Sequence, residues 1–356
     1  MARTHVLIFS MFCLCAFRAG ANGPIRLAGG PNLFIDDYLI GESKNLARTT
    51  HQPEKRPAPI LPKAETWHEM PLFFLRVIYD PQARIYRMWY NIRNNTKGYP
   101  GTVYAYAESQ DGVEWQRPNL GLIGVAGSTN NNLFKVVPAF GLGFVDDGPR
   151  APDPERRYKF AYYHLRKPEG MFVAFSRDGL HFKDWPENPV LTELSDIIDA
   201  CWDPHRKQYL AIFKANSVPE DGYKGSTPNA PEGYRRLVGQ SLSKDFIHWS
   251  KARRIVVADP REPGVWEFYG ASPQVRGNLY LGFLRVLRDD LPEGRTGQKG
   301  IGWTELITSR DGENWTRHRE PFIDRNPEEG TFDRAMAWFG DSITVGDQEH
   351  ITSVRL

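Results

Sequence analysis

The sequence predicts an all-β fold, a five-bladed β-propeller of four-stranded blades with an apparently incomplete last blade. Three observations predict it. A pattern of Ser-x-Asp-x-x-x-aromatic recurs four times, at Ser109–Trp115, Ser176–Phe182, Ser243–Trp249 and Ser309–Trp315. The four serines are spaced 67, 67 and 66 residues apart, the even period of a repeat architecture. In the same frame a turn at Asp80-Pro81, Asp153-Pro154, Asp203-Pro204 or Ser272-Pro273 precedes a short apolar run such as Tyr86–Tyr90 or Tyr209–Phe213. No segment holds a helical period over a useful length.

The elements follow in order. Arg3 and His5 make a short basic start, Val6 to Phe17 is apolar, and Ala19-Gly20-Ala21 supplies small residues. That reads as a signal peptide over residues 1–21 and places the mature chain outside the cytoplasm, secreted or periplasmic. The apolar stretch is too short for a membrane span. The propeller domain is expected over 30–356. Residues 33–40 form a strand-like stretch able to close the ring by joining the last blade. Blades are expected at about 59–118, 119–186, 189–250, 255–320 and 321–356, the fifth half-length with Phe332–Phe339 as its inner strand.

Composition excludes several functions. A formal charge of +2 gives no general attraction to nucleic acid or anionic membrane. Of 3 Cys, Cys13 and Cys15 fall in the signal, so Cys201 has no intrachain partner and reads as a small buried residue. The 9 His show no metal-ligand spacing, so no metal or other cofactor is expected, and nothing indicates a structural Ca²⁺. There is no Gly-x-Ser-x-Gly and no phosphate loop. Aromatics make up 13% of the chain; strand packing absorbs most of them, and flat rings also serve as platforms for sugars.

In a propeller the inner strands open at one mouth of the central channel, and the loops between second and third strands lie on that face. Here those loops are long: 94–101, 218–234 and 289–300. The Ser-x-Asp turns fall on the opposite face, where Ser and Asp bond backbone groups and Gly supplies a positive φ, so they read as structural. Acids opening the inner strands are Glu69 on blade one, Asp199 on blade three, Glu267 on blade four and Asp333 on blade five, while blade two offers only Asn130 to Asn132. Acids beside Trp and Phe, converging on one funnel, suit glycoside hydrolysis, which needs one carboxyl protonated and another ionised. Trp67, His68, Arg76, Trp202, Trp266, Tyr269, Asp333 and Arg334 are the candidate substrate-binding residues.

On these residues the chain resembles the five-bladed propeller enzymes of glycoside hydrolase families 32 and 43. Ser243–Trp249 carries the blade-end motif best. The resemblance implies three acids: Asp199 as the middle Asp that orients and tunes, Glu267 as general acid, and a blade-one Asp as nucleophile or base. No Asp-Pro motif opens blade one here; Glu69 is nearest in register and Asp37 is the fallback. Residues 34–40 also resemble the opening of exported propeller proteins of polysaccharide-degrading bacteria. The expected function is a secreted glycoside hydrolase acting on poly- or oligosaccharides, with a carbohydrate as the partner. The alternatives are a non-catalytic carbohydrate-binding propeller and a purely structural or protein-binding one. The oligomeric state is not legible.

Overall fold

The computed structural model describes residues 24–25, 27, 32–56, 59–61, 70–93, 102–125, 127–137, 139–227, 230–292 and 299–354. The expected signal peptide therefore lies outside the described residues. The described chain is all-β apart from two single turns of 3₁₀ helix, and none of its helices is long and apolar enough to cross a bilayer.

Four antiparallel sheets are complete blades. Blade one holds β1 (Met70–Asp80), β2 (Ile85–Arg93), β3 (Thr102–Ser109) and β4 (Trp115–Gln116). The strand β5 (Leu133–Val136) also joins it, pairing with β3 through Val103↔Val136. Blade two holds β6 (Ala139–Asp146), β7 (Tyr158–His164), β8 (Gly170–Ser176) and β9 (Lys183–Asp184). Blade three holds β10 (Ile198–Asp203), β11 (Gln208–Asn216), β12 (Arg236–Ser243) and β13 (Arg253–Val256). Blade four holds β14 (Glu267–Arg276), β15 (Leu279–Pro292), β16 (Lys299–Ser309) and β17 (Thr316–Ile323). A fifth sheet has only two strands, β18 (Trp338–Val345) and β19 (Gln348–Val354).

The blade count therefore corrects to four complete blades plus a two-stranded sheet in the fifth place. That sheet still closes the ring. The Val77 backbone N–H of β1 donates to Asp341 Oδ2 of β18 at 2.8 Å, and a Cβ on Gly112 of blade one would strike Val345. Two boundaries also change. Leu133–Val136 belongs to blade one, so the inner strand of blade two starts at Ala139, beyond the Asn130–Asn132 expected to open it. Residues 33–40 are not a strand: they bend, with Leu33 and Ile35 packed against the buried cluster that holds Leu281, Phe283 and Phe339, and Asp36 ion-paired to Arg310 at 2.6 Å. Burial of two apolar side chains anchors this segment without ladder hydrogen bonds.

The repeated turns have one chemistry. In each, the Ser Oγ accepts from the following backbone and the Asp Oδ1 accepts two further N–H groups; at Asp111 these come from Val113 and Glu114, both at 2.8 Å. The residue after the Asp has positive φ: Gly112 at 74°, Gly179 at 81°, Gly312 at 64° and, in the third copy, Phe246 at 68°. A Phe in that region costs about 1–2 kcal/mol. Phe246 offsets this by full burial, edge-on to Tyr209 at 5.1 Å and to Trp249 at 5.3 Å. The turns also tie blades together: Trp89 Nε1 donates to the Gly179 carbonyl at 2.7 Å and Gln240 Nε2 to the Gly312 carbonyl at 3.0 Å. Cys201 is buried on β10 and its thiol is pushed up to about 12 by burial, which leaves it unreactive at neutral pH.

Candidate functional site

Glu267 is the first residue of β14 and has no solvent exposure. Both of its carboxyl oxygens accept from Arg236 Nη1 at 2.8 Å. Arg236 opens β12, so the third strand of blade three delivers the cation to the inner strand of blade four. The same nitrogen lies 3.4 Å from Asp289 Oδ2 on β15. Two carboxylates thus share one guanidinium. Burial raises the pKa of Glu267; Arg236 opposes that and Asp289 adds to it.

A second cation stands beside this triad. Lys214 of β11 ion-pairs with Asp196, and burial lowers its pKa. Its ammonium lies 4.6 Å from the ring centre of Tyr269, and the Arg236 guanidinium lies 5.5 Å from the same ring. Tyr269 in turn stacks on Trp338 of β18, centroids 5.1 Å apart and planes at 23°. Elements from blade three, blade four and the fifth sheet therefore converge at the strand ends that form the mouth. The β-bulge between Phe268 and Ala271 contributes: it turns the start of β14 aside from the regular ladder.

Asp199, the second residue of β10, belongs to a deeper layer. It lies 3.8 Å from Arg285, which donates to Ser272 Oγ at 2.6 Å and to the Phe339 carbonyl at 3.1 Å. Asp341 of β18 pairs with Arg76 of β1 at 3.6 Å, and the fields of both arginines reach both acids. Burial is the largest influence on Asp199 and raises its pKa to about 6 against the pull of Arg285 and Arg76. Glu267 stands five residues before Ser272 on β14, roughly 15 Å of strand. No hydrogen bond or ion pair joins Asp199 to Glu267 among the described residues. The expected acid pair is therefore split between two levels, and Arg76 is an interior ion-pair partner rather than a rim residue.

The remaining candidates separate as follows. Trp67, His68 and Glu69 lie outside the described residues. Trp202 is a correction: it sits at the far end of β10, half-exposed beside the Asp203 turn and edge-on to Tyr209 at 4.8 Å. Strand alternation sends Trp266 to the face opposite Glu267, where it packs edge-on to Trp303 at 5.8 Å under Arg288 and Arg317. Asp333 does not open an inner strand, because β18 starts at Trp338; it is buried against Lys55 of the N-terminal segment. The Arg334 carbonyl accepts from Arg325 Nη1 at 2.8 Å. Sequence reasoning missed Arg236, Asp289, Lys214 and Asp196. A signal was present: Arg236 directly follows the long 218–234 loop, at the strand end that faces the mouth. Among the described residues no group of three or more His, Cys, Asp and Glu is placed to hold a metal ion.

No family model matches this sequence, and no curated protein does. Solved structures share its fold. One, described as a glycoside hydrolase, aligns over 82% of this chain and 84% of its own with a TM-score of 0.53 and 16% identity. Another comes from work on GH130 mannoside phosphorylases that contain glycoside hydrolases targeting β-1,2 mannosidic linkages in Candida mannan. It aligns over 88% of this chain and 93% of its own, with a TM-score of 0.52 and 10% identity. At these identities the likeness establishes the propeller architecture.

Proposed function

We propose that this chain is a carbohydrate-active propeller enzyme that cleaves glycosidic bonds at the channel mouth, with Glu267 as the proton donor. The observation that carries the reading is the fully buried Glu267 carboxyl, raised in pKa by burial and set beside a second carboxylate and an aromatic platform. A general acid must hold its proton near neutral pH, and desolvation beside a like charge shifts a carboxyl in that direction. Asp289 supplies the tuning charge that the family resemblance gave to Asp199. Glu69 keeps, from register alone, the role of base or nucleophile. Tyr269 and Tyr234 border the carboxylate, and the Arg236 guanidinium, lying over both rings, fixes its geometry. The fold shared with glycoside hydrolases supports the substrate class. The basic-apolar N-terminus supports action outside the cytoplasm.

One observation favours the rival reading of a carbohydrate-binding propeller: Arg236 occupies both Glu267 oxygens, as in a purely structural ion pair. A single screen separates the two. The mature chain is incubated with a panel of polysaccharides and aryl glycosides, and released reducing sugar or chromophore is read. Turnover reduced about 10²–10⁴-fold in Glu267→Gln supports the enzyme. Saturable binding without turnover, unchanged in the variant, establishes the binding module instead.

A further inference from the structure

A cavity lies at the seam between blades one and two and shares no residue with the Glu267 cluster. Its volume is about 290 Å³, at the lower end of small-ligand sites and suited to one ring-sized group. One wall is β5, the strand that the sequence assigned to blade two, and the other is β7, β8 and the segment after β9. From the geometry of this cavity we infer that it binds an acidic sugar residue, a hexuronate, as a site separate from the channel mouth.

The lining is built before any ligand arrives. Tyr162, almost fully buried, donates its hydroxyl to Asp184 Oδ1 at 2.6 Å. Lys135 Nζ donates to the same oxygen at 2.8 Å and lies 5.2 Å from the Tyr162 ring centre. Oδ1 of Asp184 is thereby taken by two donors. Its Oδ2 has no hydrogen-bond partner among the described residues and stands ready to accept from sugar hydroxyls. His164 and Phe172 stack at 4.7 Å and 29°, giving a flat face for ring C–H groups. The backbone N–H of Arg166 donates to His164 Nδ1 at 2.7 Å, so the neutral imidazole carries its proton on Nε2 as a further donor.

Charge selects among sugars. Lys135 and Arg166 against Asp184 leave one net positive charge on the lining. Arg166 is exposed at the rim, and its guanidinium has no hydrogen-bond or ion-pair partner among the described residues. A guanidinium in that state matches a carboxylate, which it binds through paired parallel hydrogen bonds. A hexuronate offers all three complements: a C–H face for the Phe172–His164 stack, hydroxyls for Asp184, and a carboxylate for Arg166. The sugar part of this assignment rests on the carbohydrate reading above; the charge part rests on the cavity alone.

Titration calorimetry on the whole protein tests it, with D-galacturonate, D-glucuronate, D-galactose and acetate as probes. The expected result is saturable binding of at least one uronate, about tenfold or more tighter than galactose or acetate. Arg166→Gln, on an exposed side chain, lowers uronate affinity to the galactose level. Asp184→Asn weakens both sugars, and Glu267→Gln changes neither. Acetate binding as tightly as both uronates, uronate binding unaltered by Arg166→Gln, or no saturable binding of either uronate would each overturn the inference. Turnover that depends on Glu267, without uronate binding, removes this site and leaves the enzyme standing. Uronate binding that depends on Arg166, without turnover on any substrate, does the reverse.

Discussion

The two ends of the propeller are built on opposite rules. At the turn end four blades repeat one solution: a Ser hydroxyl and an Asp carboxylate bond the backbone of a tight turn, and the carboxylate does so at Asp111, Asp178, Asp245 and Asp311. At the mouth no two blades are alike. Glu267, Arg236, Asp289, Lys214 and Asp196 are ionisable, buried or half-buried, and each is met once. Repetition marks what every blade needs in order to fold. Buried charge at the mouth follows no repeat, and a desolvated ion pair is weak evidence for stability, so this end differs from blade to blade for a reason other than folding.

That contrast is open to attack by substitution. The largest effect is expected at the mouth. Arg236→Met leaves Glu267 and Asp289 buried beside each other without their shared cation, and a broken buried pair costs about 3–5 kcal/mol. Urea unfolding reads this directly. The variant's surviving activity, if the account holds, shifts to higher pH, because loss of the cation raises Glu267 further. A variant with wild-type stability and pH profile would remove the triad from the argument.

At the turn end Phe246→Ala empties a fully buried ring position and keeps the positive-φ strain. The expected loss is about 3–4 kcal/mol in urea unfolding, with KM unchanged. Should Phe246→Ala alter substrate affinity while sparing stability, the division between the two ends fails.

The interior layer gives a pH signature. Burial raises Asp199 from 3.8 to about 6, so the folded chain holds this proton more tightly than the unfolded chain does. Its contribution to stability is complete below about pH 4 and is lost as pH rises through about 6, a span worth on the order of 2–3 kcal/mol. Asp199→Asn is expected to flatten that part of the stability profile, measured as urea midpoints between pH 4 and 7. The smallest effect belongs to a single turn hydroxyl: Ser243→Ala removes an acceptor from the Phe246 N–H and costs about 1 kcal/mol.

Much of the fold was legible because its signals are local. The Ser-x-Asp turns mark the ends of third strands, and the turn–strand pattern marks first and second strands, so four blades could be read with their order. Leu133–Val136 was misplaced because nothing local distinguishes a strand that opens a blade from one added to its neighbour's edge; the pairing with Val103 is a tertiary choice. Residues 33–40 carry the alternation of a strand, yet the same apolar side chains bury equally well from a bent segment. The site was half legible. Register placed Glu267 correctly at the opening of β14, since one inner strand begins per blade. Its partners come from second and third strands of two blades, and no spacing in the chain announces that Arg236 and Asp289 meet. Asp199 shows the opposite limit: correct register on β10 did not reveal that Arg285 claims its carboxylate one layer below the mouth.

The most direct test sets the two ends against each other on one substrate. The kcat/KM of wild type, Glu267→Gln and Asp311→Asn is measured on whichever glycoside the screen identifies, with folding verified by circular dichroism. A fall of about 10²–10⁴ is expected for Glu267→Gln and less than about threefold for Asp311→Asn, at temperatures where both stay folded. Equal activity in wild type and folded Glu267→Gln would contradict it.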